Sequence, residues 1–196
     1  MKRIGTLAMA LMMSVGLWAQ TSNWNFDQSH SSVAFSIDHM VISEVTGKFT
    51  EYTGSVSSAA DDFQNANIDF VIEVSSINTD DVDRDDHLKG VDFFDVVNYP
   101  QITFKSTSFK KVAGKKHQLS GNLTMHGVTK AVTFDVNYGG TVVDPWGNTK
   151  AGFKITGELN RKDYGLTWSK ALETGGLVVG NEVTLTVRVE LVKVKQ

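Results

Sequence analysis

Apolar and polar residues alternate with a period of two along most of the chain after residue 24. The alternation is clear in seven segments: 33–37, 68–74, 102–105, 119–123, 132–137, 153–157 and 183–191. Successive side chains of a β-strand point to opposite faces, so this period indicates half-buried strands with one apolar face. The pattern therefore predicts an antiparallel sheet whose strands share a common core.

Turn-forming residues separate these strands. A glycine pair occurs at 139–140, the sequence Asp-Pro-Trp-Gly-Asn occupies 144–148, and 125–128 (Met-His-Gly-Val) is typical of a tight hairpin. With a further strand between Gly47 and Gly54 the count is about eight, and no alternation of strands with helices suggests a parallel sheet. A small antiparallel sheet often closes into a barrel, which removes exposed edges, so we predict an all-β barrel.

The segment near residues 78–97 departs from this pattern. Asn78 or Thr79 can cap a helix whose first turn is rich in aspartate, the charge that the positive end of the helix dipole favours. Gly90 can end this helix, and residues 92–95 suggest a second short helical turn. We therefore predict that a short helical connection joins two strands of the barrel at this point.

The sequence DVDRDDHLKGVD, at 81–92, also has features of a calcium-binding loop. Its acids fall at positions 1, 3, 5 and 12, as in an EF-hand. However, Asp86 stands at position 6, where the sharp turn requires glycine, and Asp92 replaces the bidentate glutamate of position 12. A strand, and not a helix, precedes the segment. We therefore interpret these aspartates as residues of a helix start and expect no metal site here.

No other pattern in the chain specifies a chemistry. The sequence lacks a nucleophile elbow, a phosphate-binding loop and a dinucleotide fingerprint. The histidines have no close ligand spacing, although three of them on strands could still converge on a metal inside a barrel; they are residues 30, 39, 87, 117 and 126. We predict that the protein is not an enzyme and has no catalytic residue, no metal and no cofactor.

The first 19 residues have the features of a signal peptide. Lys2 and Arg3 precede an apolar run from Ile4 to Trp18, and the small residue Ala19 follows. We expect cleavage after Ala19 and one mature domain over 20–196, located in the periplasm or secreted. Without the two leader cations, 17 of the 19 basic residues remain against 22 acidic residues. This balance makes the whole chain a poor candidate for binding nucleic acid or anionic lipid.

The predicted barrel has an unusually large set of apolar side chains for one face. The candidate cavity-lining residues are Phe35, Ile37, Phe49, Phe70, Ile72, Phe94, Phe104, Leu123, Phe134, Phe153, Ile155 and Trp168. An eight-stranded barrel has an interior that side chains can fill completely or that can hold one small ligand. The alternation is compatible with both a solid core and a cavity, and the pattern leaves the choice open.

Several motifs, in order along residues 24–192, resemble the YceI-like family. They are DQSHSSV (27–33), HMVIS (39–43), GKF (47–49), DRDDHL (83–88), FFDV (93–96), YPQITF (99–104), GNLTMHGVT (121–129) and NRKDYGL (160–166). The resemblance implies an extended, lipocalin-like antiparallel barrel with a hydrophobic pore. It also implies that the pore binds a polyisoprenoid chain, and that members are commonly periplasmic and sometimes form homodimers. The matched motifs define fold blocks and imply no catalytic residues.

We therefore predict an exported lipid-binding protein that carries or sequesters an isoprenoid quinone, a polyprenyl phosphate or a similar long apolar ligand. Arg161 and Lys162, beside Trp168, are the candidates for contacting the head group, although ordinary packing at the edge of the core explains them equally well. Two alternatives remain: an enzyme that acts on a small hydrophobic substrate in the same barrel, and a structural or stress-related protein without a ligand.

Overall fold

The computed structural model describes residues 21–173 and 175–195 of the 196-residue chain. Its strands are β1 (Ser22–Phe26), β2 (Ser32–His39), β3 (Ser43–Phe49), β4 (Tyr52–Ser58), β5 (Asn67–Glu73), β6 (Ile77–Asn78), β7 (Gln101–Ala113), β8 (Lys116–Met125), β9 (Val128–Val143), β10 (Thr149–Asn160) and β11 (Val179–Lys193). The other described elements are α1 (Val82–Lys89) and the short 3-10 helices Gln28–His30, Val74–Ser76 and Arg161–Tyr164. The expected signal peptide lies outside the described residues.

All strands belong to one antiparallel sheet that closes on itself. The three N-terminal strand pairs, β1 with β2, β3 with β4 and β5 with β6, are each one long strand interrupted by a bend. Each long strand pairs with the next one along the chain, and β11 pairs with both halves of the first, for example Trp24 with Lys193. Eight long strands therefore form a closed barrel, which confirms the predicted fold class and strand count.

The connections alternate between the two ends of the barrel, because consecutive strands are antiparallel neighbours. The helix end carries the β2–β3 turn, the segment 79–100 with α1, the β8–β9 turn and the β10–β11 connection. The terminal end carries the loop 59–66, the β7–β8 and β9–β10 turns, and both ends of the described chain. In the described residues, no helix is long and apolar enough to cross a membrane.

The helix α1 has the predicted position but a different N-cap. Asp81, and not Asn78 or Thr79, caps it: the Asp81 carboxylate accepts a hydrogen bond from the Arg84 backbone N–H at 3.0 Å. The predicted cap was wrong because Thr79 is 5% exposed and its backbone N–H donates a hydrogen bond to the carboxylate of Asp85, six residues later in the chain. Gly90 ends the helix as predicted.

Residues 91–97 form turns and no second helical segment, so that prediction was wrong. The backbone of Asp95 is left-handed, with φ of 45°, which interrupts any helical continuation. In contrast, the tight hairpin predicted at 125–128 is present: β8 ends at Met125 and β9 begins at Val128. Its two central residues, His126 and Gly127, both have positive φ, as the common two-residue hairpin turn requires.

Candidate ligand-binding cavity

The barrel encloses a cavity of about 420 Å³. Side chains from all eight long strands, from α1 and from the connections at the helix end form its wall, and almost all of them are apolar. The structure places all twelve candidate lining residues on this wall, from Phe35 on β2 to Trp168 on the β10–β11 connection. The interior is therefore not filled by side chains, and the contact of these residues with a ligand stays a prediction.

The partial exposure of the wall residues is consistent with this cavity. Along β11, the inward residues Leu185, Val187 and Val189 are only half-buried, whereas a solid core would bury them completely. Leu191, on the same strand but close to the terminal end, is 2% exposed. The barrel is thus packed solidly at the terminal end and hollow in its middle.

Glycines on the inner face make room for aromatic rings beside the cavity. A Cβ atom at Gly47 would collide with the ring of Phe35, and one at Gly157 would collide with the ring of Phe134. Gly121 stands in the same relation to the ring of Phe104. Each ring therefore covers a glycine on a neighbouring strand, and the volume that a side chain at the glycine would occupy is available to the ring.

An aromatic cluster closes the terminal end. Phe63, from the loop 59–66, is 2% exposed and lies 5.0 Å from the ring centroid of Trp24 and 5.0 Å from that of Phe153. Tyr138 stacks on Phe153 at 5.0 Å. Sequence reasoning missed Phe63 because it belongs to a loop without periodicity and has a left-handed backbone, with φ of 61°. A ligand cannot leave through this end without displacing these rings.

Polar side chains on the cavity wall lie at the opposite, helix end. They are Asp38, His39, Thr79, Arg84, His87 and Arg161. The remainder of the wall toward the terminal end is apolar, so the cavity is polar at one end only. This asymmetry suits an amphiphile whose apolar chain points toward the terminal end and whose polar group stays at the helix end.

Two side chains of α1 hold the helix on the barrel through Thr79. Asp85, 9% exposed, accepts hydrogen bonds from the Thr79 backbone N–H at 2.9 Å and from the Thr79 hydroxyl at 2.6 Å. Arg84 donates from Nε to the Thr79 hydroxyl oxygen at 2.8 Å and from Nη2 to the Thr79 carbonyl at 2.7 Å. These bonds give Asp85 a structural role within the segment that resembles a calcium loop. The expectation that 81–92 binds no metal stays a prediction.

Three rings form a cluster at the rim of the cavity. His87 lies 5.0 Å from Phe93 and 5.2 Å from Trp168, and the centroids of Phe93 and Trp168 are 5.1 Å apart. The Nε2 atom of His87 is 3.3 Å from a carboxylate oxygen of Asp92. We call His87, Phe93 and Trp168 the rim cluster. It joins α1 to the β10–β11 connection and narrows the cavity at the helix end.

Arg161 holds the β10–β11 connection from the inside. It is 3% exposed, and burial lowers the pKa of its guanidinium. Nε donates to the Gly180 carbonyl at 2.7 Å, Nη2 approaches the Val179 carbonyl at 3.4 Å, and Nη1 donates to the carbonyls of Leu166 and Trp168 at 2.6 and 2.7 Å. These bonds position Trp168 and use most of the donors of the guanidinium.

The second head-group candidate, Lys162, is exposed and lies off the cavity wall. It is the residue after Arg161 in the 3-10 helix Arg161–Tyr164, and its backbone N–H donates to the Asn160 side chain at 3.0 Å. The structure therefore brings Arg161 to the cavity and leaves Lys162 at the surface. The contact of either residue with a head group stays a prediction.

A second polar cluster lies outside the cavity, where β1 bends into β2. The Lys150 ammonium is 2.9 Å from Asp27 and 2.7 Å from Glu190, and His30 Nδ1 is 3.0 Å from Asp27. Hydrogen bonds from Ser29 and from Lys150 hold the pKa of the Asp27 carboxyl well below its usual range. The bonds to Glu190 and Asp27 raise the pKa of Lys150. This cluster ties the first strand to β10 and β11.

We expect the Lys150→Met variant to melt roughly 2–4 °C lower than the parent protein at neutral pH. Because the pKa of Asp27 is lowered by folding, its contribution is complete above the ordinary value of 3.8 and is lost as the pH falls below that value. The difference between the two proteins should therefore shrink in acid. Thermal melts of both proteins across this pH range measure it, and a difference that stays constant in acid contradicts the assignment.

Comparison with known proteins agrees with this architecture. The model of the YceI-like domain matches residues 24–191. A UPF0312 protein of Staphylococcus aureus strain N315 is 37% identical over 163 residues, which cover 83% of this chain and 92% of that protein. The solved structure of a Campylobacter jejuni YCEI protein superimposes with a TM-score of 0.69 at 30% identity, over 87% of this chain and 96% of that one.

A further solved structure is similar in fold. It is a polyisoprenoid binding domain from Saccharophagus degradans implicated in plant cell wall breakdown. The TM-score is 0.65 at 16% identity, over 86% of this chain and 97% of that chain. At this identity the similarity concerns the fold alone.

Proposed function

The chain belongs to the YceI-like family, and from this premise we propose that its cavity binds an isoprenoid-type amphiphile for carriage or sequestration. One observation carries the proposal: the cavity is hollow and apolar, closed by aromatic rings at the terminal end and polar only at the helix end. The polyisoprenoid-binding domain of S. degradans, which has the same fold, supports this class of ligand. Isoprenoid quinones and polyprenyl phosphates both combine a long branched chain with one polar group.

The energetics suit such a ligand. Burial of about twenty carbons at about 0.8 kcal/mol each contributes roughly 16 kcal/mol before the costs of ordering the chain. This value lies below the practical limit of about 20 kcal/mol for non-covalent binding. A chain that enters the cavity only in part would therefore still bind tightly, and a longer chain can extend past the rim cluster.

Several polar groups on the wall have structural hydrogen-bond partners. Thr79, Arg84 and Arg161 are engaged in hydrogen bonds that hold the connections at the helix end. His87 approaches Asp92 on the rim. The Thr79 hydroxyl lies beside the Asp85 carboxylate, but both groups are engaged in the bonds that hold α1, so we propose a binding role and not a catalytic one for the cavity. We also propose that the protein is exported, on the basis of the sequence of residues 1–19.

Extraction of the purified protein tests the proposed function. We expect native mass spectrometry of the protein, expressed as the full chain in a bacterium, to show an additional mass that organic extraction releases as an isoprenoid lipid. The Lys154→Trp variant, which changes an exposed residue of β10, serves as the control and should carry the same lipid. Recovery of no lipid, together with no binding of added geranylgeraniol, would contradict the proposal.

A further inference from the structure

The terminal end carries a surface of lysines and exposed apolar side chains, which we call the basic surface. Its lysines are Lys110, Lys111, Lys115, Lys116, Lys193 and Lys195. Its apolar residues are Val112, Val142, Val143 and Trp146, with exposed fractions of 60%, 64%, 68% and 80%. Large exposed apolar side chains that lie together beside a cluster of lysines are typical of a surface that binds a partner.

The β7–β8 hairpin and the C-terminal lysines are adjacent to the β9–β10 hairpin. The Lys115 carbonyl accepts a hydrogen bond from the Tyr138 backbone N–H at 2.9 Å, and the Lys115 ammonium donates to the Gly139 carbonyl at 3.2 Å. On the other side, Gly147 and Thr149 line a shallow recess together with Lys193, Val194 and Lys195. The lysines and apolar side chains therefore belong to one continuous surface.

The turn that carries Trp146 is held rigidly. The Asp144 carboxylate accepts hydrogen bonds from the backbone N–H groups of Trp146 and Asn148 at 2.9 and 2.8 Å, and from the Asn148 side chain at 3.0 Å. At the terminal end β8 begins at Lys116, which pairs with Asn137 of β9. The rest of β9, up to Val143, therefore extends beyond β8 as part of the β9–β10 hairpin. The tryptophan thus stands at the tip of a projecting hairpin and points into solvent.

The lysines of the basic surface have few acidic neighbours. In the part of the chain that the structure describes, none of the six lysines of the basic surface forms an ion pair. The acids nearby are Asp61, Asp62 and Asp144, and the last of these is engaged in its own turn. At the helix end, α1 and its flanks carry several exposed aspartates, including Asp81, Asp83 and Asp86.

We propose that the basic surface docks on an anionic lipid bilayer, so that the helix end of the barrel, with the polar part of the cavity wall, faces away from that bilayer. The lysines complement the lipid phosphates, each contributing roughly 1 kcal/mol at the surface of an anionic membrane, about a fivefold gain in partitioning. Trp146 has the side chain most typical of the membrane interface, and the three valines insert beside it.

The negative charge balance of the whole chain does not contradict this docking. It is a sum over all residues, and it hides the local excess of lysine at the terminal end.

Vesicle flotation tests the proposal with protein expressed as the full chain, whose processed N-terminus is identified by intact mass. We expect binding to vesicles of phosphatidylcholine with about 30% phosphatidylglycerol, little binding to phosphatidylcholine alone, and loss of binding at about 500 mM salt. Substitution of Lys110, Lys111, Lys115 and Lys116 by glutamine should weaken the partitioning about 50-fold or more. The control is a variant with glutamine at four exposed lysines elsewhere, Lys48, Lys105, Lys154 and Lys170.

A second variant, Trp146→Ser, separates insertion from charge. It should bind several-fold more weakly, and the blue shift of tryptophan emission that vesicles cause in the parent protein should largely disappear. Equal binding by the two lysine variants, binding independent of lipid charge, or no binding by the parent protein at about 50 mM salt would each overturn the proposal. A salt-sensitive oligomer that the basic-surface variant dissociates would also overturn it, by assigning this surface to contacts between copies.

Discussion

The Ile155→Trp variant should lose about tenfold or more in affinity for geranylgeraniol, equivalent to about 1.4 kcal/mol, while it keeps its fold. Ile155 lies on the cavity wall near the middle of β10, between Val136 on β9 and Val187 on β11. The larger indole projects into the cavity and occupies volume that the isoprenoid chain needs. Because the cavity already provides space, the new side chain should not force neighbouring residues apart, and the melting temperature should change little.

Lys154→Trp is the matched control, because Lys154 precedes Ile155 on the same strand and points to solvent. It introduces the same side chain on the outer face of the barrel, because successive side chains of a strand point to opposite faces. Titration of each variant with the prenol, followed by calorimetry or by native mass spectrometry, measures the affinities. If Lys154→Trp weakened binding as much as Ile155→Trp, or if neither did, the cavity would not be the binding site.

The strand count and the wall of the cavity could be predicted because both depend on a local property. Alternation with a period of two assigns every second side chain to the inner face, whatever the partner strand is. Phe104, Leu123 and Ile155, on three different strands, therefore reach the same cavity. The existence of the cavity could not be predicted in this way, since it depends on how far opposite walls stand apart and on rings that cover glycines.

The parts that sequence reasoning missed depend on contacts between distant segments. Phe63 closes the terminal end from an irregular loop, through rings on β1 and β10. Thr79 has a side chain suited to capping a helix, but its hydroxyl donates a hydrogen bond to Asp85 and accepts one from Arg84 instead. The charge balance is likewise a sum over the whole chain, and a sum contains no information on where the lysines lie.

Arg161 illustrates the same limit for the site itself. The sequence made it a candidate for contacting a head group, because head-group specificity needs polar residues at the mouth of the cavity, and packing at the edge of the core explained it equally well. The structure gives its guanidinium four backbone carbonyls, those of Leu166 and Trp168 in the β10–β11 connection and those of Val179 and Gly180 at the start of β11. The connection carries Leu166 and Trp168 onto the cavity wall, so the arginine shapes the helix end even without touching a ligand.

Removal of this side chain should therefore have the largest effect on stability. We expect Arg161→Met to lower the free energy of unfolding by about 3–5 kcal/mol, because it leaves one buried and three partly buried carbonyls without their donor, at a cost of about 1–3 kcal/mol for a buried one. The melting temperature should fall by roughly 6–20 °C. Chemical denaturation measures the first quantity and a thermal melt the second.

The neighbouring Lys162→Met variant controls for the loss of a positive charge, since Lys162 is exposed, and it should unfold like the parent protein. Arg161→Lys keeps the charge but has too few donors, in the wrong geometry, for four carbonyls, so it should recover only part of the loss.

Because Arg161 holds Trp168 in the rim cluster, Arg161→Met should also release geranylgeraniol several-fold faster at a temperature where it remains folded. Equal stabilities of the Arg161→Met and Lys162→Met variants would show that the four carbonyl contacts do not hold the connection. A head-group role would appear differently: Arg161→Lys would bind a prenyl phosphate normally while Arg161→Met lost affinity for the phosphate and not for the alcohol.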